Sequence, residues 1–142
     1  MKKRVLFICS GNSDRSLMAE AILRNQANEF FDVFSAGMCP KAPDPKAIGS
    51  IKRFKLPTVQ LNSKPLTQFF NARFDFVIVL CDKAKKSGDL LNFHFINDVI
   101  FWNFEDPKER QCANPYDTTF KELNERIKMF VLVQTKSFKL AS

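Results

Sequence analysis

The stretch Val5-Leu6-Phe7-Ile8-Cys9-Ser10-Gly11-Asn12-Ser13-Asp14-Arg15-Ser16 lies near the start of this 142-residue chain. A short apolar run ends at a cysteine, a polar loop follows, and an arginine and a serine stand where a helix is predicted to begin. N–H groups of the loop and of the helix N-terminus would point at a bound anion, and Arg15 can bind two anion oxygens through its planar guanidinium. The same positive field is expected to lower the pKa of Cys9 and make its sulfur a thiolate nucleophile. The stretch therefore predicts chemistry on phosphate or a similar oxyanion.

The context of this loop strengthens a pattern that is weak by itself. A cysteine and an arginine six residues apart occur often by chance, but here a buried strand is predicted before them and a helix after them. Gly11 and Asn12 can adopt the positive φ that a tight loop needs. Ser16 can begin the helix, donate its hydroxyl hydrogen to the sulfur, or do both. Asp14 is unusual, because a carboxylate in the loop opposes both a thiolate and a dianion unless it points outward to a lysine or arginine.

The length and composition fit one globular domain. With 45% hydrophobic residues and sixteen phenylalanines, the chain can bury a core within a single domain of residues 1–142. Residues 134–142 are predicted to be a frayed tail. The net charge of +7 favours anionic substrates, but the lysines are scattered and no nucleic-acid motif is present, so no nucleic-acid partner is expected. The apolar runs are too short for a signal peptide or a membrane span, which predicts a cytoplasmic protein that does not bind membranes.

The cysteines indicate reduced thiols rather than a disulfide framework. They are widely spaced and form no CxxC pair: Cys9, Cys39, Cys81 and Cys112. Cys39 and Cys112 are expected to be ordinary buried or surface thiols. With only one histidine, His94, the sequence has no metal-ligand spacing, so no bound metal is expected.

Short apolar strands alternate with helical segments along the chain. Strands are predicted at residues 4–8, 31–36, 74–81 and 99–102, and helices at residues 16–28, 45–54 and 65–71. A last helix is predicted from Thr118 or Thr119, with Glu122 in position for a capping box, to about Val133. The alternation is typical of a parallel sheet covered by helices on both faces.

Three segments that carry reactive side chains should meet at one edge of this sheet. Ligands of such sheets bind at the carboxyl ends of the strands. Cys9, Cys81 and the segment after Trp102 each lie at the carboxyl end of a predicted strand. The topology therefore predicts a single site that contains both cysteines.

The same residues resemble a known family. Residues 5–20, VLFICSGNSDRSLMAE, are similar to the active-site signature of the low-molecular-weight protein tyrosine phosphatase superfamily, which includes arsenate reductases of the thioredoxin-coupled type. The resemblance continues in order through FSAG at 34–37, DPKAI at 44–48, SKPL at 63–66 and FDFVI at 74–78. CDKA at 81–84 and FWNFEDP at 101–107 are most similar to the arsenate reductase branch. The resemblance implies a flavodoxin-like three-layer α/β sandwich with a four-stranded parallel sheet.

The resemblance also implies roles for individual residues. Cys9 is the nucleophile, Arg15 binds the oxyanion within the loop Ser10–Ser16, and Asn12 shapes that loop. Asp106 falls where the family keeps the general acid, which must protonate the departing oxygen. A rival segment, 114–117, resembles the Asp-Pro-Tyr of the phosphatase branch, but Asn114 cannot donate a proton as an acid.

Arsenate reduction is the leading function that the resemblance implies. It requires a second thiol, and Cys81 occupies the position of the first resolving cysteine. The next relay cysteine of the thioredoxin-coupled branch would lie seven residues further on, where this chain has Gly88. An external thiol of the thioredoxin or glutathione type is therefore the expected reductant, with no bound cofactor, in a monomer that contributes to arsenical resistance.

Two alternatives stay open at this point. The first is a phosphatase that acts on phosphotyrosine proteins or similar phosphate monoesters through a phosphocysteine at Cys9. The second is a non-catalytic protein that binds an oxyanion on the same fold, which Asp14 and Gly88 make plausible. The match in the second half of the chain favours arsenate reduction.

Overall fold

The computed structural model describes the backbone of residues 1–141 and the side chains of residues 1–94 and 96–136. Four strands form one parallel sheet in the order β2-β1-β3-β4: β1 (Lys3–Cys9), β2 (Phe31–Gly37), β3 (Arg73–Val79) and β4 (Phe95–Phe101). The helices are α1 (Arg15–Ala27), α2 (Pro45–Arg53), α3 (Asp82–Lys86) and α4 (Pro115–Ala141). Short 3-10 helices lie at Leu66–Phe69, Asp89–Asn92 and Pro107–Glu109. Among the described residues, no helix has both the length and the apolar character that a bilayer span requires.

Strand β1 is central because its sequence is apolar on both sides of the pleat. Residues 5–9 are all buried, which is typical of a strand in a parallel sheet that is covered on both faces. The register pairs Cys9 with Gly37 of β2 and Ile8 with Val79 of β3. The carboxyl ends of three strands are therefore level at one edge, where the loop after Cys9 begins.

Aromatic side chains fill the layers on the two faces of the sheet. On one face, Phe130 of α4 packs against Phe31, with ring centroids 5.6 Å apart, and α1 lies beside α4. On the other face, Phe34 packs against Phe69 of the first 3-10 helix at 5.9 Å. Phe31 and Phe34 point to opposite faces, as an odd spacing along a strand requires. The predicted three-layer α/β fold with a four-stranded parallel sheet is confirmed.

The last helix begins earlier than predicted. Asn114 adopts a positive φ of 54°, and Pro115 takes the first helical position, where its missing N–H costs nothing. Thr119 therefore lies inside the helix, and its hydroxyl donates to the Pro115 carbonyl oxygen at 2.9 Å. The predicted capping box at Thr119 is wrong because the proline starts the helix one turn before it.

The same helix also ends later than predicted. It continues to Ala141 instead of ending near Val133, because residues 134–141 contain no glycine or proline that would stop it. These residues are helical instead of the predicted frayed tail, and Ser142 lies outside the described residues.

Other boundaries differ where the sequence signal is weak. Strand β4 begins at Phe95, four residues before the predicted start, because an edge strand tolerates the exposed Asn97 and Asp98 that break its apolar pattern. The helix predicted at 65–71 is a single 3-10 turn, Leu66–Phe69. Helix α3 is too short and lysine-rich to show a periodic apolar pattern, and the sequence did not predict it.

Gly37 at the end of β2 is expected to be irreplaceable. A Cβ atom there would lie 2.7 Å from the backbone nitrogen of Asn12 and 2.8 Å from the carbonyl carbon of Gly11. We expect Gly37→Ala to lower the free energy of unfolding by about 1–3 kcal/mol, measured by urea denaturation, since backbone atoms cannot move aside freely.

The matched control for this change is Gly49→Ala in α2. Its added Cβ would meet only the flexible end of Arg53, at 3.5 Å. Alanine is the better helix former, so this variant should gain about 0.5–1 kcal/mol. A Gly37→Ala protein as stable as the wild type would contradict the close approach of loop and strand.

Candidate active site

The loop between β1 and α1 is fixed by the side chain of Asn12. Asn12 is fully buried and adopts a φ of 48°, which asparagine tolerates better than most residues. Its Nδ2 donates to Oγ of Ser16 at 2.7 Å and to Oγ of Ser35 at 2.9 Å. Its Oδ1 accepts from the backbone N–H of Lys64 at 2.8 Å. One amide therefore joins the loop to α1, to β2 and to the segment before the first 3-10 helix.

Asn12 also orients the hydroxyl beside the cysteine. The Sγ of Cys9 lies 2.9 Å from Oγ of Ser16. Because Ser16 Oγ accepts from Asn12, its hydrogen is available to donate to the sulfur. Ser16 is the second residue of α1, which begins at Arg15, and its hydroxyl is in position to donate to the sulfur.

The pKa of Cys9 differs from the sequence expectation. Burial raises the pKa of this thiol above its ordinary value, and the carboxylate of Asp14 raises it further. The hydrogen bond from Ser16 and the charge of Arg15 lower it, but the net direction is upward. The expected low pKa is wrong, because the sulfur is removed from water more completely than the positive field of the loop compensates.

The Nε–Nη2 edge of the Arg15 guanidinium lies beside two carboxylates, and its Nε makes no hydrogen bond within the described residues. Its Nη1 donates to the carbonyl oxygen of Phe104 at 3.0 Å, and its Nη2 lies 3.9 Å from Oδ2 of Asp106. Its Nε is buried and has no hydrogen-bond partner among the described residues. A buried donor without a partner is costly, and Nε and Nη2 together form the edge that binds two oxygens of an anion.

The pKa of Arg15 depends on both buried cysteines and on the carboxylates of Asp14 and Asp106. Burial lowers the pKa of this guanidinium, but four acidic groups raise it to a net value above the ordinary one: Cys9, Asp14, Cys81 and Asp106. The structure therefore brings the predicted nucleophile, anion binder, second thiol and general acid together at one sheet edge.

Asp14 points into the site rather than outward to a surface lysine. Its Oδ1 accepts from the backbone N–H of Arg15 at 2.5 Å and lies 3.5 Å from Nε of Arg15. The residue is only 4% exposed. Its partner is therefore the same arginine that the anion would use.

Asp106 and Cys81 occupy the opposite side of the site. Asp106 is partly exposed, and its Oδ1 accepts from the backbone N–H of Lys108 at 2.9 Å, which caps the last 3-10 helix. Cys81 is buried at the N-cap of α3, where its Sγ accepts from the backbone N–H of Ala84 at 3.4 Å. A side chain at the end of β3 and another beyond β4 thus converge on Arg15, as the topology predicts.

The remaining candidate residues lie at the mouth of the site or away from it. Cys39 is exposed at the mouth, where its backbone N–H donates to the Ser10 carbonyl oxygen at 2.9 Å, whereas Cys112 is exposed beside Thr118. Asp117 of the rival segment pairs with Arg53 at 2.5 Å, outside the site.

Several supporting residues could not be identified from the sequence. The buried Glu20 accepts from the hydroxyl of Ser35 at 2.5 Å, and Ser63 donates to the Asn12 carbonyl oxygen at 2.6 Å. Lysines at positions 41, 83 and 108 line the mouth. The segments FSAG and SKPL mark two of these positions, but no local pattern indicates that they support the loop.

Comparisons with known proteins identify the family and the fold. Residues 4–139 match the model of the family described as low molecular weight phosphotyrosine protein phosphatase. An arsenate reductase of Oceanobacillus iheyensis is 32% identical over 127 residues, which cover 89% of this chain and 90% of that protein. A solved structure described as an arsenate reductase in the phosphate binding state has a TM-score of 0.77 and 25% identity, and the match covers 92% of this chain and 97% of the other. A low molecular weight protein tyrosine phosphatase from T. tengcongensis has the same fold, with a TM-score of 0.78 at 22% identity and coverage of 92% and 98%.

The Ser16 hydroxyl is expected to control the ionisation of Cys9. Its hydrogen bond lowers the pKa of the thiol, so Ser16→Ala should raise that pKa and move the midpoint of Cys9 alkylation to higher pH. The rate at which iodoacetamide alkylates Cys9 should be lower than in the wild type near neutral pH. It should approach the wild-type rate at a pH where Cys9 is ionised in both proteins. Mass spectrometry of the Cys9 peptide separates this reaction from alkylation of the exposed cysteines.

Ser10→Ala is the matched control, because Ser10 lines the mouth of the same loop. Its alkylation midpoint should stay at the wild-type value. An unchanged midpoint in Ser16→Ala would show that the hydroxyl does not donate to the sulfur.

Proposed function

This chain belongs to the low molecular weight phosphotyrosine protein phosphatase family, and we propose that it is an arsenate reductase that works through Cys9, Arg15, Asp106 and Cys81. The observation that carries the proposal is the second buried thiol. Cys81 is buried, and the N–H of Leu80, the residue before it, donates to the carbonyl oxygen of Ile8, the residue before Cys9, at 2.8 Å. A phosphatase needs one thiol in this site, whereas reduction of arsenate needs two.

The oxyanion binds to the Nε–Nη2 edge of the Arg15 guanidinium. Nε and Nη2 donate hydrogen bonds to two of its oxygens, and N–H groups of the loop and of the start of α1 donate to the others. The three lysines at the mouth attract anions toward this edge. Burial of the arginine strengthens each of these contacts, because water does not screen them.

In the first chemical step, the Cys9 thiolate attacks arsenic. A sulfur–arsenic bond forms, an arsenic–oxygen bond breaks, and the oxygen leaves as water with a proton from Asp106. Arsenic remains in its +5 state. The raised pKa of Cys9 means that this step should become faster as the pH increases and the thiol ionises.

In the second step, the Cys81 thiolate attacks the sulfur of Cys9. A disulfide bond forms and the sulfur–arsenic bond breaks, so its electron pair stays on arsenic. Arsenic is reduced to the +3 state and leaves as arsenite, while the two thiols are oxidised to one disulfide. The oxidation and the reduction each involve two electrons.

An external dithiol or glutathione-type thiol then reduces the disulfide. In the thioredoxin-coupled branch that the sequence resembles, a further cysteine takes over the disulfide. Here Gly88 occupies that position, with a φ of 79° and open space around it. The reductant would therefore act on the Cys9–Cys81 disulfide itself. Helix α3 is only five residues long, so few contacts oppose the movement that would expose Cys81.

Phosphate monoester hydrolysis is the second candidate, and one observation favours it. Cys9, Arg15 and Asp106 are sufficient for attack on phosphorus and protonation of the leaving oxygen, without Cys81. Water would then hydrolyse the phosphocysteine. The absent relay cysteine at Gly88 removes no group that this reaction needs.

Replacement of Cys81 separates the two reactions. We expect Cys81→Ser to abolish arsenite release, because the protein then has no second thiol in the site to attack the sulfur of Cys9, and to leave hydrolysis of an aryl phosphate within about twofold of wild type. Arsenite is measured with arsenate and either a thioredoxin or a glutathione system. Arsenite release by Cys81→Ser at the wild-type rate would contradict the proposal.

Two further variants calibrate this experiment. Cys112→Ser removes an exposed thiol far from the site and should retain both activities. Asp106→Asn keeps an acceptor for Lys108 but cannot donate a proton as an acid, so it should slow both reactions by about 10²–10⁴-fold. Equal losses in Cys81→Ser and Asp106→Asn for aryl phosphate would show that Cys81 supports the loop rather than the redox step.

A further inference from the structure

Asp14 is the one loop carboxylate that the reaction above does not use. It is buried, yet its Oδ1 lies 2.5 Å from the backbone nitrogen of Arg15 and 3.5 Å from Nε of Arg15. Both nitrogens are donors that an oxyanion in this loop requires. An oxyanion that binds these two donors would therefore have an oxygen close to the carboxylate of Asp14.

The surroundings of Asp14 make the site poor in positive charge. The titratable groups near it are Cys9 at the end of β1, Arg15 at the start of α1 and Tyr116 on α4, and Asp106 lies beside the same arginine, 3.9 Å from its Nη2. Burial and the hydrogen bond to Asp44 raise the pKa of Tyr116 most, and the charges of Asp14 and Asp106 act in the same direction. The lysines at 41, 83 and 108 lie at the mouth. Inside the mouth, one buried guanidinium thus lies beside two carboxylates and the bound substrate anion.

A carboxylate in contact with an oxyanion can be favourable in one way only. Ionised, it accepts hydrogen bonds and donates none. An oxyanion that bears a hydroxyl group can donate to it, whereas an oxyanion without one places two negatively charged oxygens in contact. Inorganic phosphate and arsenate carry at least one hydroxyl near neutral pH. Sulfate carries none, and a phosphate monoester loses its own above its second pKa of about 6.

We propose that Asp14 is a specificity-determining residue that selects oxyanions bearing a hydroxyl group, such as arsenate and inorganic phosphate, over sulfate and phosphate monoester dianions. This inference rests on the proposed function, since it states which oxyanions the same site takes. Negative selection of this kind works by making the contact with the wrong ligand repulsive. The chemistry of this site could act on arsenate or on a phosphate monoester. The carboxylate of Asp14 favours free arsenate.

The test compares phosphate with sulfate, which are similar in size and differ in the hydroxyl group. Isothermal titration at pH 7.5 should give the wild-type protein a clear preference for phosphate. In Asp14→Asn the ratio of the two dissociation constants should shift by roughly tenfold or more toward sulfate, mainly through tighter sulfate binding. The kcat/KM for an aryl phosphate should also increase in this variant above pH 6, where the ester is a dianion.

Control variants separate selection from general charge repulsion. Asp44→Asn removes a carboxylate that accepts from the Tyr116 hydroxyl at 2.7 Å, outside the loop, and should leave the ratio unchanged. Asp14→Ser keeps a short oxygen that can accept from the Arg15 N–H, so it provides a second readout if Asp14→Asn unfolds at a lower temperature. An unchanged ratio in both Asp14 variants, equal gains for both anions, or an equal shift in Asp44→Asn would each overturn the proposal.

The outcome is independent of turnover. If the wild type releases no arsenite while the phosphate-to-sulfate ratio shifts as expected, the proposed function fails and the selection by Asp14 stands. If the wild type releases arsenite and the ratio does not shift, the selection by Asp14 fails alone.

Discussion

The side chain of Asn12 is the constraint on which the rest of the site depends. Its amide bonds to Ser16, to Ser35 and to the backbone of Lys64, so residues far apart in the chain hold the loop in one conformation. The loop can then fold back on β1 because Gly37 leaves room for it at the end of β2. The sulfur of Cys9 is placed under the Ser16 hydroxyl as a consequence, and Arg15 begins the helix that follows.

The electrostatics of the site reflect a balance between burial and charge. Burial strengthens the contacts of Arg15 but raises the pKa of Cys9, so the same exclusion of water that helps to bind an anion makes the nucleophile harder to ionise. Asp14 adds to this cost. The carboxylate of Asp14 does not help the attack by Cys9, and the proposed selection among anions gives it a role.

The sequence predicts the fold well because the signals for it are local. Apolar strands alternate with helices, and the loop at Cys9 lies between β1 and α1 as predicted. The contacts that make the site specific are not local. Arg15 donates to the Phe104 carbonyl, 89 residues away, and the direction of the Asp14 side chain depends on that packed arginine. The true start of α4 also escapes a capping rule, because Pro115 begins the helix before the threonine that fits the capping pattern.

We expect Arg15 to be the oxyanion-binding group, through a buried edge whose Nε lies 3.5 Å from Asp14 but makes no hydrogen bond within the described residues. Binding of inorganic phosphate to Arg15→Lys tests it most directly, by isothermal titration beside the wild type, with circular dichroism to verify the fold. Lysine keeps the charge but lacks the planar fork, so we expect phosphate binding to weaken by roughly tenfold or more. Phosphate affinity equal to that of the wild type in a folded Arg15→Lys protein would contradict it.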